Sequence, residues 1–334
     1  MTRPFQILCL SGGGYLGLYS AAVLRELERE VNEPIGSRFD LIAGTSVGGI
    51  IALGLASGAS AAEIEAAFQA NGHLIFSSQQ PAKTSFGRTL NTWRRLTTTT
   101  HRPIYRSEPL RNTIRQLVPQ DRCIGDLLTR VIIPAVNLSK GKPQVFKTPH
   151  HEKFRRDWRL KVEDVALATS AAPTFFPIHE IGSELFTDGG LYANSPDQLA
   201  LHEALYFLGQ DLGSIRMLSV GTTLTSFSWS NATGRNLGWF EWAKSQRLIT
   251  AMMASQQINV DYVLHHTLGE RYVRIDRTPS CEQEVQIGLD VASEVAKQDL
   301  LALASASVRD AIANPNLREL LSQRAERPHF FKGS

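Results

Sequence analysis

The chain opens on an apolar run, Phe5 to Leu10, broken only by Gln6, and runs straight into Ser11-Gly12-Gly13-Gly14-Tyr15-Leu16-Gly17. A short apolar run bounded by a glycine-rich turn predicts a buried strand. Ala21, Leu24, Leu27 and Val31 then recur at helical spacing until Pro34 and Gly36 stop them, and Phe39 to Ala43 reads as a second strand. The next helix, Val47 to Ser57, begins at Gly48 and Gly49 and is closed by Gly58, while Ile64, Ala67 and Phe68 mark another amphipathic helix. Strand, helix, strand in this rhythm predicts a mostly parallel central sheet with helices on both faces, a three-layer α/β/α sandwich.

Between about Ser77 and Arg106 the pattern dissolves into polar, basic sequence that includes Lys83, Arg88, Arg94, Arg95 and Arg102, and it reads as a surface insertion. Regular structure returns with strands at Val131 to Leu138 and Gln144 to Thr148, the first placed at a sheet edge or a bulge because Pro134 lacks the ladder N–H. A helical stretch from Val162 is stopped by Pro173. Glu184 to Thr187, a helix from Pro196 to Leu208 and a strand at Ile215 to Val220 complete this part. Beyond Gly221 come a loop with Trp229, Trp239 and Trp242, a helix around Ala243 to Asn259, a strand near Tyr272 to Ile275 and further helices. The expected organisation is a catalytic domain over residues 5–221, with the basic insertion at about 77–106, and a helical extension over 222–334 packed on it.

The 334 residues are 43% hydrophobic and 20% charged, ordinary globular composition. There is no bilayer-length apolar run, and Met1-Thr2-Arg3-Pro4-Phe5 has no signal-peptide character, so a cytoplasmic protein is expected. Cys9, Cys123 and Cys281 are too scattered for a disulfide framework or a metal motif. A formal charge of +3 does not indicate a nucleic-acid polymer as partner. Locally, Lys83, Phe86, Arg88, Trp93, Arg94 and Arg95, and the stretch Lys153-Phe154-Arg155-Arg156-Asp157-Trp158-Arg159, mix cations with aromatics as an anionic interface would want, although a solvated charged loop is the commoner explanation of such a mix.

Gly44-Thr45-Ser46-Val47-Gly48 is a G-x-S-x-G where a predicted strand meets a predicted helix, the context in which a serine oxygen is lifted above a sheet as a nucleophile. The helix N-terminus beneath it favours developing negative charge. Gly12, Gly13 and Gly14 offer consecutive amides with no side chains in the way, as an oxyanion hole requires. Gly12-x-Gly14-x-x-Gly17 also matches the dinucleotide fingerprint, with Asp40 at ribose-contact spacing, but a nucleophile elbow follows at once, for which such a domain has no use. A serine needs a base, and His202, His265, His266 and His329 lie in predicted helices or the tail. Asp188, in Thr187-Asp188-Gly189-Gly190, follows a strand and could take the role, while an Asp-Gly turn without chemistry is the plain alternative.

Taken in order, Gly12-Gly13-Gly14-Tyr15-Leu16-Gly17, Gly44-Thr45-Ser46-Val47-Gly48 and Asp188-Gly189-Gly190 resemble the three signatures of the patatin-like phospholipases. Ala168-Thr169-Ser170-Ala171-Ala172-Pro173-Thr174-Phe175-Phe176-Pro177 and Ala193-Asn194-Ser195-Pro196 resemble the family's segments on either side of the aspartate, so the likeness spans Phe5 to Gly221. That resemblance implies a Ser46/Asp188 dyad without histidine, cleaving acyl esters of membrane phospholipids through an acyl-enzyme at the inner face of the membrane. No metal is implied, and no DxDxDG calcium loop is present. Leu16 stands where the family usually has Arg or Lys, which implies altered loop support or substrate preference. Length and the lack of an added lipid-binding module also resemble the patatin-type effectors of bacterial CBASS antiphage systems. This second likeness implies a cyclic dinucleotide as activator rather than cofactor, its phosphates held by basic residues of the insertion or of the region after Gly221, and a homo-oligomer. The alternatives are a non-catalytic lipid- or nucleotide-binding protein of the same fold and a dinucleotide-dependent oxidoreductase.

Overall fold

A computed structural model describes residues 3–77, 102–223, 234–238, 242 and 247–332. In chain order the elements are β1 (Phe5–Leu10), α1 (Gly17–Val31), β2 (Leu41–Gly44), α2 (Val47–Ser57), α3 (Ala61–Ile75), α4 (Ser107–Leu117), β3 (Arg130–Asn137), β4 (Lys142–Lys147), α5 (Val162–Thr169), β5 (His179–Ile181) and β6 (Glu184–Asp188). There follow α6 (Gly190–Ala193), α7 (Asp197–His202) running on into a π-helical turn, β7 (Ile215–Val220), α8 (Arg247–Leu268), β8 (Tyr272–Ile275), α9 (Cys281–Gln286), α10 (Glu294–Ala311) and α11 (Pro315–Ser322).

The sheet runs β5-β6-β3-β2-β1-β7-β8, with β4 on the other edge of β3. The strands from β3 through β8 in that order are parallel, whereas β4 and β6 pair with β3, and β5 with β6, in antiparallel fashion. Strand β1 shows why the fold has three layers. Leu8 and Leu10 join the apolar cluster formed with α1, α2, α3 and α10, while Phe5, Ile7 and Cys9 join a second cluster with Ala200, Leu201, Val260 and Leu264. A strand buried on both faces reads as the continuous apolar run seen in the sequence. The helices end and begin where their capping chemistry dictates: α2 stops at Gly58 with φ 100°, and α3 starts in a capping box between Ser60 and Glu63.

Two expectations change. Pro134 lies inside β3, neither at a sheet edge nor in a bulge. The N–H of Val131 and the carbonyl of that residue face Thr148 on the β4 side, so by alternation Pro134 faces the opposite edge. There β2 pairs up to Ile132 and β6 from Ala135 onward, and the missing N–H falls in the gap between the two neighbours. Helix α4 occupies Ser107–Leu117, which the pattern had left unassigned although Leu110, Ile114 and Leu117 are spaced as one helical face. The strand expected near Tyr272 to Ile275 is present as β8 and pairs in parallel with β7, so the sheet continues past Gly221. The loop residues Trp229 and Trp239, and Lys83, Phe86, Arg88, Trp93, Arg94 and Arg95 of the insertion, lie outside the described residues.

Candidate active site

Strand β2 delivers Ser46 to a left-handed turn, φ 55° and ψ −125°, from which α2 starts at the next residue. A side chain at Gly44 would put its Cβ 2.2 Å from the Gly48 carbonyl, and one at Gly48 would come within 2.3 Å of the Leu10 carbonyl. Both obstacles are backbone, so the bend that raises Ser46 exists only with glycine at these two positions. Gly17 likewise lets α1 approach Val47 of α2. The turn is held from below: the Ser46 N–H donates to Thr169 Oγ1 at 3.0 Å, and Thr169 Oγ1 donates to the Pro134 carbonyl at 2.6 Å. The proline carbonyl left without a ladder partner is thus part of the serine's support.

Asp188 closes β6, in register with Ala135, and Ser46 Oγ donates to its Oδ2 at 2.7 Å. Its Oδ1 accepts the Gly190 N–H at 2.7 Å. Gly189 sits where a Cβ would strike the Pro134 carbonyl at 2.3 Å, so the turn after the aspartate is pressed against β3. Only 6% of Asp188 is exposed, and burial pushes its pKa from 3.8 up to about 6, against the opposing effect of the bonds from Ser46 and Gly190. A carboxylate raised toward neutrality is a stronger proton acceptor than an ordinary aspartate.

The glycine loop narrows the expectation for an oxyanion hole. Gly12 cannot contribute its amide as the loop stands, because that N–H donates to the Asn194 carbonyl at 2.9 Å. The Gly12 carbonyl is held as well, by Thr222 Oγ1 at 3.0 Å and Asn194 Nδ2 at 3.4 Å. Among the described residues no acceptor is bonded to the amides of Gly13 or Gly14, and both glycines line the cavity at Ser46. Gly14 has φ +56° and packs on the Leu289 carbonyl, which also accepts the Tyr15 N–H at 2.8 Å. Leu16 is 2% exposed in the apolar cluster beside α1, so an aliphatic residue fills the place where a cation was missed.

From Ser46 and Asp188 a cavity of about 130 Å³ runs between apolar side chains, among them Ile50, Phe68, Phe76, Leu110, Phe176 and Met252. No histidine lines it among the described residues. His202 stacks on Tyr206, His265 and His266 bond back to carbonyls of their own helix, and His329 packs on Phe331. Asp40 precedes β2, at the end of the sheet opposite the glycine loop, and bonds to Arg3 at 2.5 Å and the Gln6 N–H at 2.9 Å. It is therefore a structural residue and no ribose ligand. In the stretch 153–159, Phe154 packs on Phe207 and Arg159 lies over Trp158, so its rings are used within the molecule.

Sequence reasoning missed Thr222, which lies just past the resembling segments, and Gln256, an unremarkable helix residue until its partners are known. Thr169 and Asn194 stood within those segments without an assigned role.

A serine on a strand-to-helix elbow above a three-layer sheet, with an acid in hydrogen-bond contact, defines a serine hydrolase architecture. The family model described as patatin-like phospholipase matches residues 8–201. A cGAMP-activated phospholipase of Pseudomonas aeruginosa is 38% identical over 332 residues, covering 98% of this chain and 95% of the relative. A cGAMP-activated phospholipase of Vibrio cholerae is 39% identical over 323 residues, covering 90% and 89%. A cUMP-AMP-activated phospholipase of Escherichia coli is 28% identical over 227 residues, covering 65% and 64%. The chain belongs to the patatin-like phospholipases.

Proposed function

We propose that the protein hydrolyses acyl esters of membrane phospholipids through Ser46 and Asp188, as a peripheral enzyme switched on by a cyclic dinucleotide. The observation that carries the chemistry is the 2.7 Å bond from Ser46 Oγ to Asp188 in the wall of an apolar cavity. Ser46 Oγ attacks the ester carbonyl while Asp188 takes its proton. The tetrahedral oxyanion rests on the Gly13 and Gly14 amides, with the dipole of α2 beneath. Collapse expels the lysolipid alkoxide, which recovers the proton from Asp188 and leaves an acyl group on Ser46. Water then attacks the acyl carbonyl, giving its proton to Asp188, which returns it to Ser46 Oγ as the fatty acid departs. The apolar cavity wall supports an acyl chain as the group held during these steps. Among the described residues no helix is long and apolar enough to cross a membrane, which is compatible with contact from one side.

The activator reading rests on the two relatives named for cGAMP, each similar over most of its length. The test is hydrolysis of a fluorogenic phospholipid in vesicles by wild type, Ser46→Ala and Asp188→Asn, each with and without cGAMP and cUMP-AMP. Wild type should respond to cGAMP, and both variants should fall by at least about 1000-fold. Equal activity in all three proteins refutes the pair. Calorimetry that finds no cyclic dinucleotide bound removes the activator and leaves the hydrolase.

A further inference from the structure

Helix α8 lies outside the family match and touches the site in an unusual way. In an uninterrupted helix the Asn194 N–H would bond to the Gly190 carbonyl four residues back. Here the side chain of Gln256 is inserted into that rung: its Oε1 accepts the Asn194 N–H at 3.1 Å, while its Nε2 donates to the Gly190 carbonyl at 3.4 Å and the Leu191 carbonyl at 3.2 Å. The orientation of the carboxamide follows from its partners, since one N–H needs an acceptor and two carbonyls need a donor. Two of the three residues gripped this way hold the chemistry. Gly190 donates its N–H to Asp188, and Asn194 gives its carbonyl to the Gly12 N–H. Ile249, Met252 and Met253, one and two turns earlier on the same helical face, wall the cavity.

We infer that Gln256 is a positioning residue, spliced into the backbone after Asp188 so that one face of α8 sets the carboxylate, the glycine loop and the cavity wall together. The inference rests on Ser46 and Asp188 being the reacting pair. An amide suits the place, because it carries its acceptor and its two donor hydrogens on separate atoms, one turned to the Asn194 N–H and the other to the two carbonyls, without charge beside Asp188.

The full-length protein is tested as Gln256→Met, which keeps length but removes all three bonds, and as Gln256→Glu, which at neutral pH keeps the acceptor alone. Gln257→Ala is the control. Gln257 donates to Asp276 at 2.8 Å, but Asp276 is also held by Arg274 and by the Thr223 N–H, so its loss leaves that carboxylate partnered. The readouts are kcat and KM on a soluble short-chain ester and the rate of fluorophosphonate labelling at Ser46, each across pH with cGAMP present and absent. Gln256→Met should lower kcat and labelling about 10- to 100-fold with KM unchanged, the size of loss expected from small misplacements. Its acid limb should move to higher pH, because a Gly190 N–H held less firmly favours the carboxylate less. Gln256→Glu should move the limb further up through its like charge. Wild-type kcat and an unmoved limb in Gln256→Met overturn the inference, as does a loss matched by Gln257→Ala, which would mean general helix support. If Gln256→Met shows no cooperative melt, the Gln256→Glu limb decides, and an unmoved limb there is equally fatal. Ser46→Ala run alongside separates the two levels: activity and labelling that survive it refute the pair itself.

Discussion

Asp188 titrates where the enzyme would work, and two outcomes follow. In the proposed mechanism the carboxylate is the proton acceptor, so kcat/KM should rise with pH along a limb centred at about 6, measured on a soluble ester to avoid changes in the lipid surface. A limb near 4 would mean that the carboxyl is not buried in the working enzyme. The same shift affects stability. Between 3.8 and about 6 the unfolded chain releases the proton while the folded chain keeps it, so folding weakens across that window and the cost is complete above it. Asp188→Asn carries no such charge and should melt higher than wild type at pH 7.5, by on the order of 3 kcal/mol at most. Its advantage should shrink as pH falls from 6 to 4. Ser46 was legible because its elbow is a local event written in neighbouring glycines. Asp188 was legible only through the order of motifs, since β6 reaches β2 across a sheet whose register the sequence does not state. Gln256 was not legible at all, because its meaning comes from carbonyls more than sixty residues away in the chain.

At the scale of elements, the elbow between β2 and α2 admits a direct test. Gly48→Ala places a methyl 2.3 Å from the Leu10 carbonyl, in a strand that cannot retreat because it pairs on both edges. Loss of the cooperative melt or of Ser46 labelling is expected. Gly213→Ala, with nothing within 4 Å, should stay within about 0.5 kcal/mol of wild type. The parallel strands were readable because burial on both faces makes them uninterrupted apolar runs. Helix α4 was overlooked because its apolar face is carried by few residues next to basic, polar sequence. The Pro134 expectation failed for a different reason: the rule that bars proline from ladders assumes one neighbour per edge, and β3 changes neighbours there.

Over the whole molecule, the match to the family ends at residue 201, yet the sheet and the site do not. Strand β7 lies beside β1, β8 extends the sheet beyond it, and α10 packs on α1, where Tyr19 Oη donates to Ser307 Oγ at 2.8 Å. A chain cut after residue 201 keeps Ser46, Asp188 and the glycine loop but exposes one edge of β1. It should lack a cooperative melt and near-ultraviolet dichroism, and a cut chain that melts and labels like wild type would show that the later elements are dispensable.

The glycine loop is gripped by Asn194, Thr222 and the Leu289 carbonyl, from three distant stretches of chain. For recombination between relatives this sets where breakpoints can fall. A chimera joined between residues 201 and 222 inherits its loop from one parent and two of its three grips from the other. It keeps every signature residue intact, yet its chemistry depends on how well two histories agree at the loop.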